Sequence, residues 1–419
     1  MNHKIRIASY ITIILLQFLS LSGQSQQLSL QWHNRFGLDN WDYANDFIQL
    51  ADGNYIITGC LGAELNADSL QSSASNNGWL ASVDSNGLTQ WQKTFVGREF
   101  ESVTSITENS QSIIIAGLFQ DTVMLDSVSL ISDTYMSGFY GVLDSERNLV
   151  KLEKIGEKGV FNNVLLSTNN LNKTFIACSF YDELKLPQLT YSENYNAILW
   201  AELDLLGNIL NPVFIKCSGK LALKSSQCND SSFLLAGSFS DTLFIRDSTY
   251  ISSSSADAFM ASFNINGDLK WIRTISGDGD QQINELAVGG DGKIGITGYF
   301  ENNAFLVNQV LQTYGSKDML VALLDEDGNL LWWKNIGSIS NDQGHSISMN
   351  QENDVFVSGS FVHIIAIPGE NGNLVELESF SPFGNSFIAK YNESGSLKAS
   401  YTLPGTSEDY CQGIGVDKA

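Results

Sequence analysis

Carboxylates recur at one place in this chain, in the short connection that follows a Trp-bearing run and precedes the next apolar run. They are Asp39 and Asp42, Glu99 and Glu101, Asp278 and Asp280, Asp342, and Glu408 with Asp409. Gathered on one face, such groups would focus a negative potential able to hold a divalent cation, calcium first, or a cationic partner. The competing reading has each Asp bonding the backbone of its own turn. Lys158 and Lys220 occupy two of the equivalent connections and work against a complete acidic ring.

Other chemistry is sparse. Past the first 25 residues the histidines are His33, His345 and His363, far apart and on different runs, a poor basis for a three-His metal site. No GxSxG, GxxxxGK[ST], HExxH or full EF-hand loop occurs. Asp325–Asn329 reads DEDGN, but Asp84, Asp204, Asn264 and Asn392 start the same turn with Gly three residues on, as a hairpin turn needs for φ > 0. The copy that begins at Asp144 departs from this, with Arg147 where Gly is due. The five cysteines (60, 178, 217, 228, 411) are odd in number and include no CxxC, so they are not a disulfide framework; a Cys217–Cys228 bridge stays open.

The elements that position these groups are strands. Runs ending in an acid or amide finish at Asp84, Asp144, Asp204, Asn264, Asp325 and Asn392, in steps of 60, 60, 60, 61 and 67. A second landmark, the small residue in YIITGCL, IIIAGLF, TFIACSF, FLLAGSF, IGITGYF and VFVSGSF, falls at 59, 117, 178, 237, 298 and 359. Two landmarks with one period define a repeat of four short strands, bounded by Gly, Asn and Asp. Trp32, Trp91, Trp271 and Trp332 share one register, which reads as a packing anchor between units. The stretch between the second and third strands varies from unit to unit and is where unit-specific function is expected.

The expected fold is therefore all-β, a β-propeller of four-stranded blades, because such a unit cannot bury both faces alone and radial closure protects sheet edges. Residues 43 to 403 make six complete blades. LQWHNRFG at the N-terminus and CQGIGVDKA at the C-terminus are left as the outermost and innermost strands of an incomplete seventh. On this count the repeat domain runs over 28–419 and continues beyond Ala419.

Residues 1–25 carry Lys4 and Arg6, an apolar run ITIILLQFLSL and small residues, the layout of a secretory signal peptide. Its removal would take the net charge from −23 to −25. That acidity argues against nucleic acid as partner, and no other run approaches membrane-spanning length. Charged residues at 16% and hydrophobic ones at 43% suit a folded domain, expected as a monomer.

The succession DGNYIITG, WLASVDSNG, TQWQKTFVG resembles the SBBP-type β-propeller repeats of secreted and cell-surface bacterial proteins, over essentially all of residues 28–419. The resemblance implies a secreted or surface scaffold, with export by a type IX route implied in turn. LLDEDGNLLWW is also similar to the tryptophan-docking repeat of quinone-dependent propellers, although the turn is one residue shorter here and no quinone ligand set is present. The expected function is non-catalytic binding of a protein, peptide or glycan, with no cofactor. A structural or adhesive module of a larger surface protein is the alternative, and a glycan-active enzyme using two loop carboxylates such as Asp278 and Asp280 the third reading.

Overall fold

A computed structural model describes residues 11–19, 27–36, 42–62, 76–204, 206–369, 374–379, 381, 384–403 and 411–416. The chain is all-β: every regular element among the described residues is a strand. Six consecutive four-stranded antiparallel meanders carry the fold, and each follows one copy of the repeat. They begin at Tyr43, Glu101, Val160, Leu221, Gln281 and Gln343, and the fourth strand of the last ends at Leu403.

Strand order within each meander follows the burial that its residues can tolerate. The second strand of unit 2 (Ile113–Phe119, IIIAGLF) and the third (Ser137–Leu143, SGFYGVL) are buried throughout, covered on both faces by neighbouring sheets. The fourth, Leu149–Lys154 (LVKLEK), is fully buried only at Leu152 and exposes Val150 and Glu153. Between sheets the core is largely aromatic. Trp200 stacks on Phe233 with centroids 4.7 Å apart, and Phe175 packs on Phe233 at 5.3 Å.

The recurrent small residue of the second strand has a steric cause. In five of the six first strands a bulge comes just after the residue facing the glycine, for example between Val103 and Ser105 or Ile283 and Glu285. The bulge thrusts a carbonyl at the glycine. A Cβ at Gly59 would meet Tyr43 O at 1.9 Å, and one at Gly237 would meet Ala222 O at 1.8 Å. Unit 3 alone has Cys178 there. Its bulge, between Phe161 and Asn163, lies two pairs earlier, after the residue facing Phe180, and clears the space.

The turns explain the other landmark. Asp325 Oδ1 accepts the N–H groups of Asp327 and Asn329 at 3.0 and 2.8 Å, and Asp84, Asp144, Asp204 and Asn264 do the same in their turns. The carboxylate of DEDGN is thus committed to its own backbone, not to calcium.

Between second and third strands most units insert a short hairpin that reaches back to the preceding unit. Val123 and Met124 pair with Gly97 and Val96, Leu243–Ile245 with Ile215–Cys217, and Ala304–Leu306 with Ile275–Gly277. The variable stretches therefore cover part of an outer edge that would otherwise be open. First strands of successive units adjoin in chain order. Residues 411–416 are not in strand pairing, yet Ile414 N–H donates to Ser346 Oγ at 2.9 Å, and a Cβ on Gly415 would fall 2.6 Å from the Phe47 ring. Gln27–Phe36 pairs antiparallel with Ile11–Leu19, the apolar run of the N-terminus. Among the described residues no helix is long and apolar enough to cross a membrane.

Candidate functional site

Asp39, Glu408 and Asp409 lie outside the described residues. Asp42 and Asp342 are buried, at 5% and 1% exposure, and each accepts a backbone N–H twenty residues on: Gly62 at 2.9 Å and Val362 at 3.2 Å. Asp342 also takes the N–H of Ser338. Glu101 holds the equivalent place in unit 2 and is fully buried, which pushes its pKa up to about 8 and keeps it neutral at physiological pH. Glu99 and Asp278 are exposed, and Asp280 accepts the Ser255 hydroxyl. Among the described residues no three His, Cys, Asp or Glu are grouped to hold a metal ion. Asp42 and Asp342, withdrawn from water, are held instead by the backbone N–H donors they cap.

A second polar set went unrecognised in the sequence. In every unit but the third, the residue just after the first-strand bulge accepts an N–H from the segment that follows: Ile106 N–H donates to Asp46 Oδ2 (2.9 Å), Leu166 to Ser105 Oγ (3.1 Å), Leu286 to Ser225 Oγ (3.2 Å), and Ile347 to Glu285 Oε2 (2.8 Å). The Ile414 bond to Ser346 continues the series. Neighbouring amides add a parallel one, Asn45 Nδ2 to Val103 O, Asn163 Nδ2 to Leu223 O and Asn284 Nδ2 to Gly344 O. The signal was present as a polar pair interrupting five of the six apolar first strands (ND, TS, KS, NE, HS) but had no partner until the sheets met.

The electrostatics of this set follow from partial withdrawal from water. Burial raises Asp46 to about 6, against the opposing pull of its N–H and hydroxyl donors. Burial likewise raises Glu285 to about 7, with the charge of Asp46 adding to it, so residues 239 positions apart in sequence sense one another. His345 is pushed down to about 4, hence neutral, and its Nε2 meets Ser360 Oγ at 2.7 Å. Lys224 keeps contact with solvent, while the protein around it lowers its pKa. Apart from Lys224, this set is engaged in tying strands together.

The Trp register does act as an anchor. Trp271 Nε1 donates to Glu326 O at 3.0 Å and Trp332 Nε1 to Glu393 O at 2.8 Å, each ring lying on the turn glycine of the following unit. A Cβ at Gly328 would come within 2.9 Å of the Trp271 ring, and one at Gly395 within 2.8 Å of Trp332. Lys151, in the same register, sits against Gly207, and Val213, two residues past that register in its own unit, sits against Gly267. At the fifth such junction Trp91 faces the turn that carries Arg147, held at φ 71° where the other turns have Gly. There a cavity of about 550 Å³ opens, lined by Trp91, Gln92, Lys93, Asp126, Glu146 and Arg147 among others.

All five cysteines are free, so the open question of a Cys217–Cys228 bridge is answered in the negative. Cys217 is buried with Sγ toward the carbonyls of Lys220 and Ser240 at 3.3 and 3.1 Å. Burial, with the charges of Asp42 and Glu101, pushes the Cys60 thiol up to about 12.

No family model matches this chain, and no curated protein matches it. Among solved structures it is similar to hydrazine synthase of Kuenenia stuttgartiensis (10% identity, 86% of this chain and 95% of that one, TM-score 0.46). It is similar also to Sqt1 of Chaetomium thermophilum (9% identity, 88% of each chain, TM-score 0.44) and to a variant of the Synechocystis apocarotenoid oxygenase (10% identity, 88% of this chain and 94% of that one, TM-score 0.40). At such identities and scores these likenesses carry neither the fold nor a function over to this chain.

Proposed function

We propose that the chain is a secreted or cell-surface β-propeller that acts as a non-catalytic binding scaffold. In this reading the six meanders are blades around one axis, their first strands innermost, and residues 411–416 take the first-strand place of a seventh. The observation that carries it is the series of side-chain-to-backbone bonds from five of the six first strands to the segment that follows, from Asp46 to Ile414, with the Asn163 amide bonding Leu223 O from the remaining one. These bonds commit the inner polar groups to rigidity and leave recognition to the parts that vary. The inserted hairpins are those parts. Ile131, Ile251, Val310, Tyr314, Ile364 and Leu374 expose between 52% and 75% of their surface there, a supply of apolar contact for a protein, peptide or glycan ligand.

The test is to incubate the purified protein with panels of surface polysaccharides, peptides and proteins, reading both retention and chemical change. Retention of a ligand that is recovered unaltered, weakened at least tenfold by Ile251→Glu or Tyr314→Glu, is the expected result. Release of a product from any of them by the wild-type protein would replace a scaffold with an enzyme.

A further inference from the structure

We propose that the cleft between Trp91 and Arg147 is a saccharide-binding site in which a pyranose ring lies on the indole face. The inference builds on the binding-scaffold reading and names one ligand class and one site for it.

The cleft exists because one unit breaks the rule that closes the others. Where a Trp of the shared register meets a turn glycine, at Trp271–Gly328 and Trp332–Gly395, a Cβ would come within 3 Å of the ring, and at Gly207 and Gly267 it would come 3.0 Å from Tyr140 and 2.7 Å from Val213. A side chain at that turn position must therefore hold the opposing residue away. Arg147 supplies such a side chain in a left-handed conformation (φ 71°) that favours glycine. A strained arginine in place of a glycine costs stability without improving packing, which is the kind of departure that marks a functional position. It coincides with the cavity of about 550 Å³, within the range of roughly 300–1,000 Å³ typical of small-molecule sites.

The lining has the chemistry of sugar recognition. Unlike Trp271 and Trp332, Trp91 has no bond from its indole N–H among the described residues, and its ring is only partly covered. An indole face offers a flat apolar surface to the C–H groups of a pyranose. Around it stand Gln92 and Arg147, whose side chains make no hydrogen bond or ion pair among the described residues, together with Glu146 and Asn148. Planar amide, carboxylate and guanidinium groups can address vicinal hydroxyls as donor or acceptor. Lys93 is already bound to Asp126, Nζ lying 3.1 and 2.9 Å from the two carboxylate oxygens, so those charges fix one wall and are not free for an anion. Glu146 and Asp126 oppose a phosphate, and Leu125 alone adds buried apolar lining, too little for a hydrophobic peptide anchor.

The experiment titrates the full chain with soluble cello-, xylo-, manno-, chito- and galacturono-oligosaccharides, followed by calorimetry and tryptophan fluorescence. At least one series should bind with a change in indole emission, and Trp91→Ala and Arg147→Gly should each weaken it tenfold or more. Arg147→Gly should melt no lower than wild type, because the turn then has the residue its φ favours, so its lost binding cannot be assigned to misfolding. No binding by any series, or binding that both variants retain at wild-type affinity, overturns the proposal. A ligand that binds through the hairpins, lost in Ile251→Glu and kept in Arg147→Gly, would overturn this site while leaving the scaffold in place.

Discussion

Replacing Glu285 with Gln should stabilise the protein at neutral pH and leave it nearly unchanged in acid. Glu285 accepts Ile347 N–H at 2.8 Å, a bond that an amide oxygen can also accept. Burial and the charge of Asp46 raise its pKa from 4.5 to about 7, so the folded state holds this proton more tightly than the unfolded one. Stability must then fall as pH rises from about 4.5 to about 7, because in that window the unfolded chain has released a proton that the folded chain retains. The full shift corresponds to about 3 kcal/mol. Glu285 is only partly buried, so solvent screens part of this, leaving about 2 kcal/mol, a few degrees in Tm for a chain of this size. Scanning calorimetry of wild type and Glu285→Gln at pH 4.5 and pH 8 measures it, and the expected result is a gap that opens only at the higher pH. A difference in Tm that stays constant between the two pH values would refute the reasoning, as would a variant that is the less stable one at pH 8. Asp46→Asn should act in the same direction, its pKa being raised from 3.8 to about 6, and combining the two should give less than their sum, since each ionised group raises the cost of the other.

Three further outcomes follow from the geometry. Gly328→Ala should destabilise by about 2 kcal/mol in thermal or urea unfolding, from a left-handed φ of 74° and a Cβ 2.9 Å from the Trp271 ring; a neutral substitution would mean that the ring is not seated there. Asp342→Ala should cost about 1–3 kcal/mol by stranding the buried N–H groups of Ser338 and Val362, whereas millimolar calcium should not move the wild-type Tm; a calcium-dependent rise of several degrees would restore a cation site to the acidic loops. Thiol titration of protein unfolded without reductant should count five free cysteines, and a count of three would establish a bridge.

The period of about sixty residues was legible because each landmark answers to forces inside one unit. Asp or Asn at the turn bonds N–H groups two and four residues on, and glycine in the second strand yields to the bulge of the strand it pairs with. Strand type, turn positions and the number of meanders follow from such local rules. The roles of the carboxylates do not, because local sequence is similar for an acid that faces solvent and one that caps a backbone twenty residues away. Asp42 and Asp342 read as candidate ligands and are capping groups, while Asp46 and Glu285, hidden in apolar runs, share one electrostatic environment.

By itself the sequence determined an all-β chain of repeated four-stranded units and singled out Arg147 as the exception among its turns. Tertiary structure alone decided what that exception does, since only the packing of one unit's Trp register against the next unit's turn converts an added side chain into an open cleft beside Trp91. The division has a plain physical basis. Backbone hydrogen bonds and turn sterics act over a few residues and leave their mark in residue order, whereas burial and charge depend on distances that exist only once sheets remote in sequence are in contact.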